Sequence, residues 1–333
     1  MQTKKTYNIA LIGAGRMGAR WAEVISHLSR VSLSVVADAR VSRAKVLADT
    51  YGVSYSRQVK DIFKSDLDVV IIATPHAFLF PLAKEALLAG KHVFVEKPGS
   101  RTPEEMRELC RLALKMKRTL AVGFNYRFFD SIRRAKQIID EGGIGSVHAL
   151  RIVHGHPGRP GYEKEWRMNK KLSGGGVLMD QGLHVIDLAR FFFGSRTTKV
   201  CGYISNRAWH APVEDYASVV LETARGQVAS LSVSISEWKP VFTCEIFGER
   251  GFIALGGLGR RYGDGEHFSV GVYDKKSGRL KEKILSCNPD AEKALRLEFD
   301  EFIDAIISNK GVIGTAYDAV EALTIIKKIY ASQ

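Results

Sequence analysis

YNIALIGAGRMG, residues 7–18, joins a compact apolar run to the glycine spacing GxGxxG. The apolar part predicts a buried strand, and residues 16–30 predict a helix that begins inside the glycine turn. A second apolar stretch, VSLSVVAD, predicts a strand that ends at Asp38, about 20 residues after the turn. Strand, glycine turn, helix, strand and acid in this order predict a dinucleotide-binding site.

The glycine turn predicts how a dinucleotide would be held. Gly13 allows the turn, Gly15 lets backbone amides approach a pyrophosphate, and Gly18 lets the helix pack closely on the sheet. The start of the helix, where Arg16 and Met17 lie, presents its partial positive charge to the phosphates. These five residues are therefore predicted to contact the cofactor.

Asp38 bears on the choice of cofactor. A carboxylate at this position accepts hydrogen bonds from the adenosine ribose hydroxyls and repels a 2′-phosphate. Arg40 and Arg43 follow closely and could partly offset that repulsion. The sequence predicts NAD, with NADP as the alternative. A glycine turn that merely joins a strand to a helix would leave the acid at the strand end without a role.

Strands and helices continue to alternate as far as residue 124. Further strands are predicted at 67–74, 92–98 and 119–125, and helices at 78–90 and 102–118. Thr102 is the predicted cap of the second helix. The alternation predicts an α/β fold with a doubly wound parallel sheet, in which ligands bind at the carboxyl ends of the strands. The side chains at those ends are Thr74, His76, Glu96, Lys97 and Asn125.

After residue 124 the pattern changes, and strand follows strand. A helix (131–145) and a strand (147–155) precede a Gly/Pro-rich loop, and further β-like segments lie between residues 200 and 274. Two helices, 291–309 and 315–331, close the chain. Consecutive strands without helices predict a large, mostly antiparallel sheet. The predicted division is a cofactor-binding Rossmann domain over 1–124 and an α+β substrate-binding domain over 125–333.

Composition limits the classes of protein to which the chain can belong. An apolar fraction of 45% and a charged fraction of 26% are typical of soluble globular proteins, and no apolar run approaches a membrane span. The N-terminal residues do not form a signal peptide, and the four cysteines show no CxxC or zinc-like spacing. We therefore expect a cytoplasmic protein without a membrane partner.

The net charge of +13 raises the question of a nucleic-acid partner. Most of the excess lies in residues 1–124, where a basic cluster from Arg107 to Arg118 spans the end of a predicted helix. The helix dipole and water favour cations at that place. No aromatic residues alternate with these cations, so the sequence predicts no nucleic-acid partner.

A second chemical motif is GGGVLMDQGLHVIDL, residues 174–188, which places Asp180 and His184 four residues apart. In a helix this spacing puts both side chains on one face. Histidine titrates near neutral pH and a carboxylate can fix its tautomer, so the pair suits proton transfer. A helix cap and a core histidine would give the same pattern.

Taken in order, these motifs resemble those of the Gfo/Idh/MocA family of NAD(P)-dependent sugar and cyclitol oxidoreductases, which includes inositol 2-dehydrogenase. The resemblance covers essentially the whole chain. It implies a Rossmann domain followed by a domain whose open sheet serves as an oligomer interface, and hence a homo-oligomer, a dimer or tetramer. The motifs are GAGRMG (13–18), ATP (73–75), AGKHVFVEKP (89–98), GFNYRF (123–128), EWR (165–167) and GGGVLMDQGLHVID (174–187).

The resemblance also implies roles for individual residues. Lys97, Asp180 and His184 fall on the family's catalytic lysine, aspartate and histidine, which also contact the substrate. The positions that line the nicotinamide end of the cofactor in the family are here Glu96, Asn125, Trp166 and Arg167.

One motif departs from the family pattern. The family reads TPNxxH after the third predicted strand, whereas this chain reads TPHAFL, so His76 replaces the asparagine and Leu79 the histidine. The departure affects the cofactor contacts implied at these two positions and leaves the catalytic group intact. His76 remains a cofactor-binding candidate.

The loop 154–171 is expected to cover the substrate. Arg159 and Tyr162 are its substrate-binding candidates, and Arg159 could recognise a phosphate or the diphosphate of a sugar nucleotide. The alternative is a solvated connector, which is the interpretation for Lys164, Lys170 and Lys171. No metal site is predicted, because metal-like spacing with carboxylates or cysteines is absent around His154, His156, His210 and His267.

Three functions remain open from the sequence. The first is a dehydrogenase or reductase that moves a hydride between nicotinamide and a secondary alcohol or ketone of a sugar, cyclitol or sugar derivative. There His184 would act as base and Lys97 would stabilise the alkoxide, while Asp180 would orient either of them or hold a substrate hydroxyl. The second is a glycoside hydrolase that uses bound NAD for transient oxidation. The third is a non-catalytic NAD-binding regulator, against which the intact catalytic group argues.

Overall fold

The structure is a computed structural model that describes residues 5–259, 262–309 and 314–333. Over these ranges the chain divides into two compact units. The first comprises the residues up to Gly123 together with Leu295–Leu323, and the second comprises Phe124–Ala294 and Thr324–Gln333. The division by sequence placed every residue after 124 in the second domain, so the structure differs from it at residues 295–323.

The first unit is built on a parallel sheet of six strands within the described residues, in the order β3-β2-β1-β4-β5-β6. Every residue of strand β4, Val69–Ile72, is buried, as expected where helices cover both faces of a parallel sheet. This order confirms the predicted Rossmann sheet. The strands are β1 (Tyr7–Ile12), β2 (Val31–Ala37), β3 (Ser54–Ser56), β4 (Val69–Ile72), β5 (His92–Glu96) and β6 (Leu120–Gly123).

Helices connect these strands. The predicted cap of the helix Pro103–Met116 is confirmed, because the Thr102 hydroxyl accepts a hydrogen bond from the backbone N–H of Glu105 at 3.2 Å. The segment 41–64, for which the sequence made no prediction, contains two short helices and β3. The helices are α1 (Arg16–Ser26), α2 (Val41–Tyr51), α3 (Val59–Lys64), α4 (His76–Leu88) and α5 (Pro103–Met116).

The chain returns to the first unit near its end. Helix α9 (Ala291–Ile307) inserts Phe299 into the aromatic core, 5.7 Å from Trp21 and 5.5 Å from Phe94 between ring centroids. Arg30 forms an ion pair with Asp300 at 2.7 Å on the same helix. Burial of these rings explains why residues 295–323 group with the Rossmann sheet, although they follow the second domain in sequence.

The second unit carries an open sheet of eight strands among the described residues, in the order β14-β13-β12-β11-β7-β10-β9-β8. Among the described strands of this sheet, only β7 (Val147–Gly155) and β10 (Val228–Ser234) pair in parallel; the other neighbours are antiparallel, as predicted. The strands are β7 (Val147–Gly155), β8 (Thr197–Ser205), β9 (Tyr216–Thr223), β10 (Val228–Ser234), β11 (Val241–Gly248), β12 (Gly251–Leu258), β13 (Tyr262–Asp274) and β14 (Arg279–Leu285).

The second unit also contains helical segments. They are α6 (Asp130–Asp140), α7 (Lys170–Ser173), α8 (Leu183–Phe193) and the end of α10 (Gly314–Ala331). Helix α8 contacts β7 and β10, and nearly all of its residues are buried. The edge strand β14 was not predicted, because its sequence RLKEKIL is charged and exposed rather than apolar.

Candidate active site

The glycine turn of the first unit leaves room for a phosphate group. A Cβ atom on Gly18 would lie 1.8 Å from the Gly13 carbonyl oxygen, so glycine is required there for close packing. A Cβ atom on Gly15 would meet nothing within 4 Å, and α1 begins at the next residue, Arg16. Open space therefore borders the backbone where α1 begins, and because the first N–H groups of a helix have no partners within the helix, this place fits a dinucleotide pyrophosphate.

Asp38 lies immediately after β2 and holds the glycine turn. Its carboxylate accepts a hydrogen bond from the Ala14 backbone N–H at 2.7 Å and another from the Arg40 backbone N–H at 2.8 Å. Asp38 therefore has a structural role in addition to its predicted contact with the ribose. The expectation that this acid would have no role in a turn that only joins a strand to a helix is wrong.

The predicted residues at the strand ends lie where β4 and β5 finish. Thr74 follows β4, and His76 is buried as the first residue of α4. At the end of β5 the Glu96 carboxylate accepts a 2.6 Å hydrogen bond from the buried indole N–H of Trp21. Lys97 follows directly and is half-buried. Trp21 therefore holds the residue next to the predicted catalytic lysine.

In the second unit, Asp180 lies in a π-helical turn, Leu178–Gly182, and His184 lies in the first turn of α8. A π turn pairs each N–H with the carbonyl five residues earlier, so it contains one residue more than an α turn. The segment is helical, as the prediction assumed, but Asp180 lies in a π turn rather than in a regular α-helix. Single π turns inside helices often mark functional sites.

Glu214 anchors the segment that leads into this turn. Its Oε1 accepts hydrogen bonds from the backbone N–H groups of Gly176 at 2.9 Å and Leu178 at 3.1 Å, and from the Tyr330 hydroxyl at 2.7 Å. A Cβ atom on Gly176 would lie 1.9 Å from the Glu214 carbonyl oxygen, which explains glycine at that position. Burial raises the pKa of the Glu214 carboxyl, and the Tyr330 hydrogen bond opposes part of that rise.

Asp180 belongs to a chain of alternating charges. Its Oδ2 atom lies 3.2 Å from Nε of Arg167, and Arg167 Nη1 lies 3.6 Å from Glu165. Glu165 also forms an ion pair with Arg159. The structure thus brings together three predicted site residues, Arg159, Arg167 and Asp180, and adds Glu165, to which the sequence assigned no role.

Aromatic rings complete this part of the second unit. The Arg159 guanidinium lies 5.1 Å from the Tyr162 ring centroid, and the Arg167 guanidinium lies 4.6 Å from that of Trp166. Burial, and then the charge of Asp180, raise the pKa of Tyr162 well above its usual value, so its hydroxyl stays protonated. Burial lowers the pKa of Arg167, but the charges of Asp180, Tyr162 and Glu165 and the hydrogen bond to Asp180 together raise it above its usual value, so this cation persists.

The imidazole of His184 is only 5% exposed and lies between aromatic rings. The Tyr126 ring stacks on it with 4.0 Å between centroids and 8° between planes. The Tyr126 hydroxyl lies 2.9 Å from Nε2 of His154, which is fully buried. The sequence assigned no role to Tyr126, although it follows Asn125 in GFNYRF. Asn125 begins a 3-10 turn, Asn125–Phe128, in the second unit.

Within the described residues, no group of three or more His, Cys, Asp or Glu side chains is arranged to hold a metal ion. None of the helices in those ranges combines the length and apolar character that a membrane crossing needs. All four cysteines are free, and Cys110 and Cys244 are buried.

Comparison with protein-family models identifies both halves of the chain. Residues 7–124 match the model described as oxidoreductase family, NAD-binding Rossmann fold. Residues 132–254 match the GFO/IDH/MocA C-terminal domain.

Comparisons with individual proteins also identify oxidoreductases as relatives of this chain. The chain is 34% identical to the uncharacterized oxidoreductase YrbE of Bacillus subtilis over 57% of its own length and 54% of that protein, so the match spans about half of that relative. It is 32% identical to an inositol 2-dehydrogenase of Rhizobium meliloti over 69% of each chain. A solved structure of levoglucosan dehydrogenase with NADH and levoglucosan has a TM-score of 0.89 at 25% identity, covering 98% of this chain and 97% of that one.

The two family models together cover most of the sequence. The first model matches the unit that carries the glycine turn, and the second matches the unit that carries Asp180. The first domain is an NAD-binding Rossmann domain. The chain belongs to the GFO/IDH/MocA family of oxidoreductases.

Proposed function

We propose that this protein is an NAD-dependent oxidoreductase that transfers a hydride between the nicotinamide and a secondary alcohol or ketone of an uncharged sugar or cyclitol. What supports this function most directly is that the family's catalytic motifs are intact in a chain with an NAD-binding domain. These residues are Lys97, Asp180 and His184.

The chemistry divides between the cofactor and the protein. Bound NAD would supply the hydride acceptor. Loss of a hydride from the alcohol carbon requires loss of a proton from its oxygen, and we assign that proton to His184, whose pKa in the free amino acid lies near neutrality. The Lys97 ammonium would hydrogen-bond the same oxygen and stabilise the developing negative charge. Asp180 would accept a hydrogen bond from a neighbouring substrate hydroxyl or orient one of the other two.

The charge balance of the loop 159–167 favours an uncharged substrate. A cation that binds phosphate strongly must offer its N–H groups to the phosphate oxygens. Arg159 and Arg167 both have carboxylate partners, Glu165 and Asp180, and the four side chains sum to zero charge. A phosphate would have to compete with Glu165 for Arg159. We therefore favour a neutral polyol over a sugar phosphate or sugar nucleotide.

The first experiment is reduced-nicotinamide absorbance with the purified protein and matched substrate pairs. Each pair compares a neutral compound with its phosphorylated form, myo-inositol with inositol phosphate and glucose with glucose 6-phosphate, using NAD and NADP separately. Turnover of a neutral member supports the proposal. Turnover of the phosphorylated member alone would keep the oxidoreductase and reject the neutral substrate.

Two other functions predict a different result in the same assay. A glycoside hydrolase with bound NAD would show no net cofactor reduction and would release a sugar from a glycoside. A regulator would bind NAD without turning over any compound. The variant Lys97→Met is the control for catalysis, and we expect it to lose turnover while retaining NAD binding. Wild-type turnover in this variant would reject the assigned chemistry.

We also propose that the protein forms a homo-oligomer through the uncovered face of the large sheet. Large apolar side chains are exposed on it, among them Val153 of β7, Tyr203 of β8 and Val220 of β9. A β-sheet face of this kind favours burial against a second copy. Light scattering after size-exclusion chromatography measures the mass, and a monomer at micromolar concentration would reject the proposal. Location in the cytoplasm stays a prediction.

A further inference from the structure

The His184 imidazole is stacked against Tyr126, a residue outside the catalytic motif. Tyr126 stacks on the imidazole with nearly parallel planes, 8° apart, at 4.0 Å between centroids. Phe124 presents its edge to the same imidazole at 6.4 Å. A side chain in contact with a parallel ring on one side has little freedom to turn about its Cβ–Cγ bond, because rotation would drive its edge into that ring.

Tyr126 is itself held from behind by His154. The hydroxyl of Tyr126 and Nε2 of His154 are 2.9 Å apart, and His154 is fully buried on β7. Two further rings contact this imidazole, Tyr262 at 4.5 Å and Phe242 at 5.9 Å. Because strand β7 is central in the sheet, His154 is a rigid support for the hydroxyl.

We propose that Tyr126 and His154 are positioning residues for His184: the Tyr126 ring sets the plane of the imidazole, and His154 sets the Tyr126 ring. This role rests on the proposed dehydrogenase function, in which His184 takes a proton from a substrate hydroxyl. Proton transfer requires a nitrogen at hydrogen-bonding distance and in line with that hydroxyl, so a freely turning imidazole would be productive for a smaller fraction of the time.

Tyr126 acts through His184 rather than on the substrate. One face of its ring is stacked on the imidazole, its hydroxyl is hydrogen-bonded to His154, and the residue is only 7% exposed. Little of its side chain is therefore accessible to a reacting molecule. Positioning predicts a loss in kcat, with little change in KM or in the dissociation constant of NAD.

The test compares two substitutions at one position. Tyr126→Leu removes the ring, and we expect kcat to fall about 10- to 100-fold, as small misplacements of catalytic groups do. Tyr126→Phe keeps the ring face but loses the hydroxyl that His154 holds, and we expect a kcat between that of Tyr126→Leu and that of the wild type. Steady-state kinetics use NAD and the neutral polyol of the panel with the highest kcat/KM.

A matched control separates positioning from general loss of packing. Phe268 is also fully buried in the second unit, on β13, and its ring contacts Arg134. Phe268→Leu removes a buried ring of similar size, and we expect kcat to stay within about threefold of the wild type, since it leaves the His184 stack intact. An equal loss of kcat in this control would overturn the proposal.

The part played by His154 is tested by a double-mutant cycle. His154→Leu should lower kcat when Tyr126 is present, because the hydroxyl loses its partner. In the Tyr126→Phe background the same change should have little effect, since there is no hydroxyl to hold. Additive effects of the two substitutions would reject the link between His154 and Tyr126.

A spectroscopic measurement tests the stack without any activity. The carbon-bound imidazole protons of His184 lie over the Tyr126 ring, so its ring current should shift their NMR signals, which His184→Asn assigns by their disappearance. The signals should move in Tyr126→Leu and stay nearly unchanged in Tyr126→Phe. Unmoved signals in Tyr126→Leu would overturn the proposal. Absence of turnover in the wild type would reject the dehydrogenase function, and the NMR result would still decide whether the stack exists.

Discussion

The hydroxyl of Tyr330 donates a 2.7 Å hydrogen bond to the buried carboxylate of Glu214. Tyr330 lies near the end of the last helix, whereas Glu214 anchors the backbone just before the π turn that carries Asp180. The C-terminal helix therefore helps to fix the start of the segment with the candidate catalytic residues.

Removal of the Tyr330 hydroxyl should weaken this anchor. Tyr330→Phe leaves the Glu214 carboxyl with one donor fewer, and we expect the free energy of unfolding to fall by about 2 kcal/mol in urea titrations. Tyr317→Phe, at an exposed tyrosine on the same helix, is the control and should have little effect. Equal stability of the two variants would show that the hydrogen bond contributes nothing.

Glu214 should also give the protein a characteristic pH dependence. Burial raises the pKa of this carboxyl in the folded state. As pH rises above the unfolded pKa, about 4.3, the unfolded chain loses this proton before the folded one does, so the contribution of Glu214 to stability declines until the folded pKa is passed. In Glu214→Gln that decline should be absent. Urea unfolding at a series of pH values measures it as the difference between the two proteins, and parallel curves would contradict the expectation.

The ion pair between Arg127 and Asp187 should matter more for stability than a surface pair. Arg127 Nε donates to Asp187 Oδ2 at 2.8 Å, and the Asp187 side chain is 1% exposed. Asp187→Asn leaves the guanidinium without its counter-charge and should cost about 3 kcal/mol in the free energy of unfolding. Asp140→Asn, in the exposed pair with Lys136, should cost no more than about 0.5 kcal/mol. Similar losses in both variants would mean that burial does not strengthen the first pair.

Gly15→Ala should separate cofactor binding from folding. The added methyl group meets no atom of the protein within 4 Å, so thermal stability should be unchanged. The same methyl would occupy the space over the start of α1, and we expect the dissociation constant of NAD to rise about tenfold or more. Gly256→Ala, whose added atom makes only ordinary contacts with His267, is the control and should bind NAD normally. Unchanged NAD binding in Gly15→Ala would remove the glycine turn from the cofactor site.

Asp38→Asn is the appropriate variant for the choice between NAD and NADP. Asparagine keeps one oxygen for the hydrogen bond of the Ala14 N–H and gives up only the acceptor of the Arg40 N–H, so the turn should persist, whereas alanine would remove both contacts. Loss of the negative charge should shift the ratio of the two dissociation constants toward NADP by about tenfold. Isothermal titration with each cofactor measures the ratio, and Asp49→Asn on α2 is the control. A ratio equal to that of the wild type would exclude Asp38 from the ribose site.

Much of the first domain could be read from local sequence. The apolar strand before Gly13, the acid after the second strand and the cap at Thr102 are short-range patterns, and the structure contains all three elements. The π turn at Asp180 could not be read in this way, because Glu214 and Tyr330 hold its approach from distant parts of the chain. Arg167, which the resemblance assigned to the cofactor, forms an ion pair with Asp180 that the sequence did not predict.

The sequence by itself determined the family, the parallel sheet, the antiparallel sheet and the candidate residues Lys97, Asp180 and His184. The two sheets follow from periodicity, which depends on neighbours along the chain, whereas the family and the three residues follow from the resemblance of the motifs. The tertiary structure alone decided that α9 packs with the Rossmann sheet, that Tyr126 stacks on His184, and that His154 supports it. Such contacts join residues far apart in sequence, and they form only when complementary surfaces of different elements exclude water together.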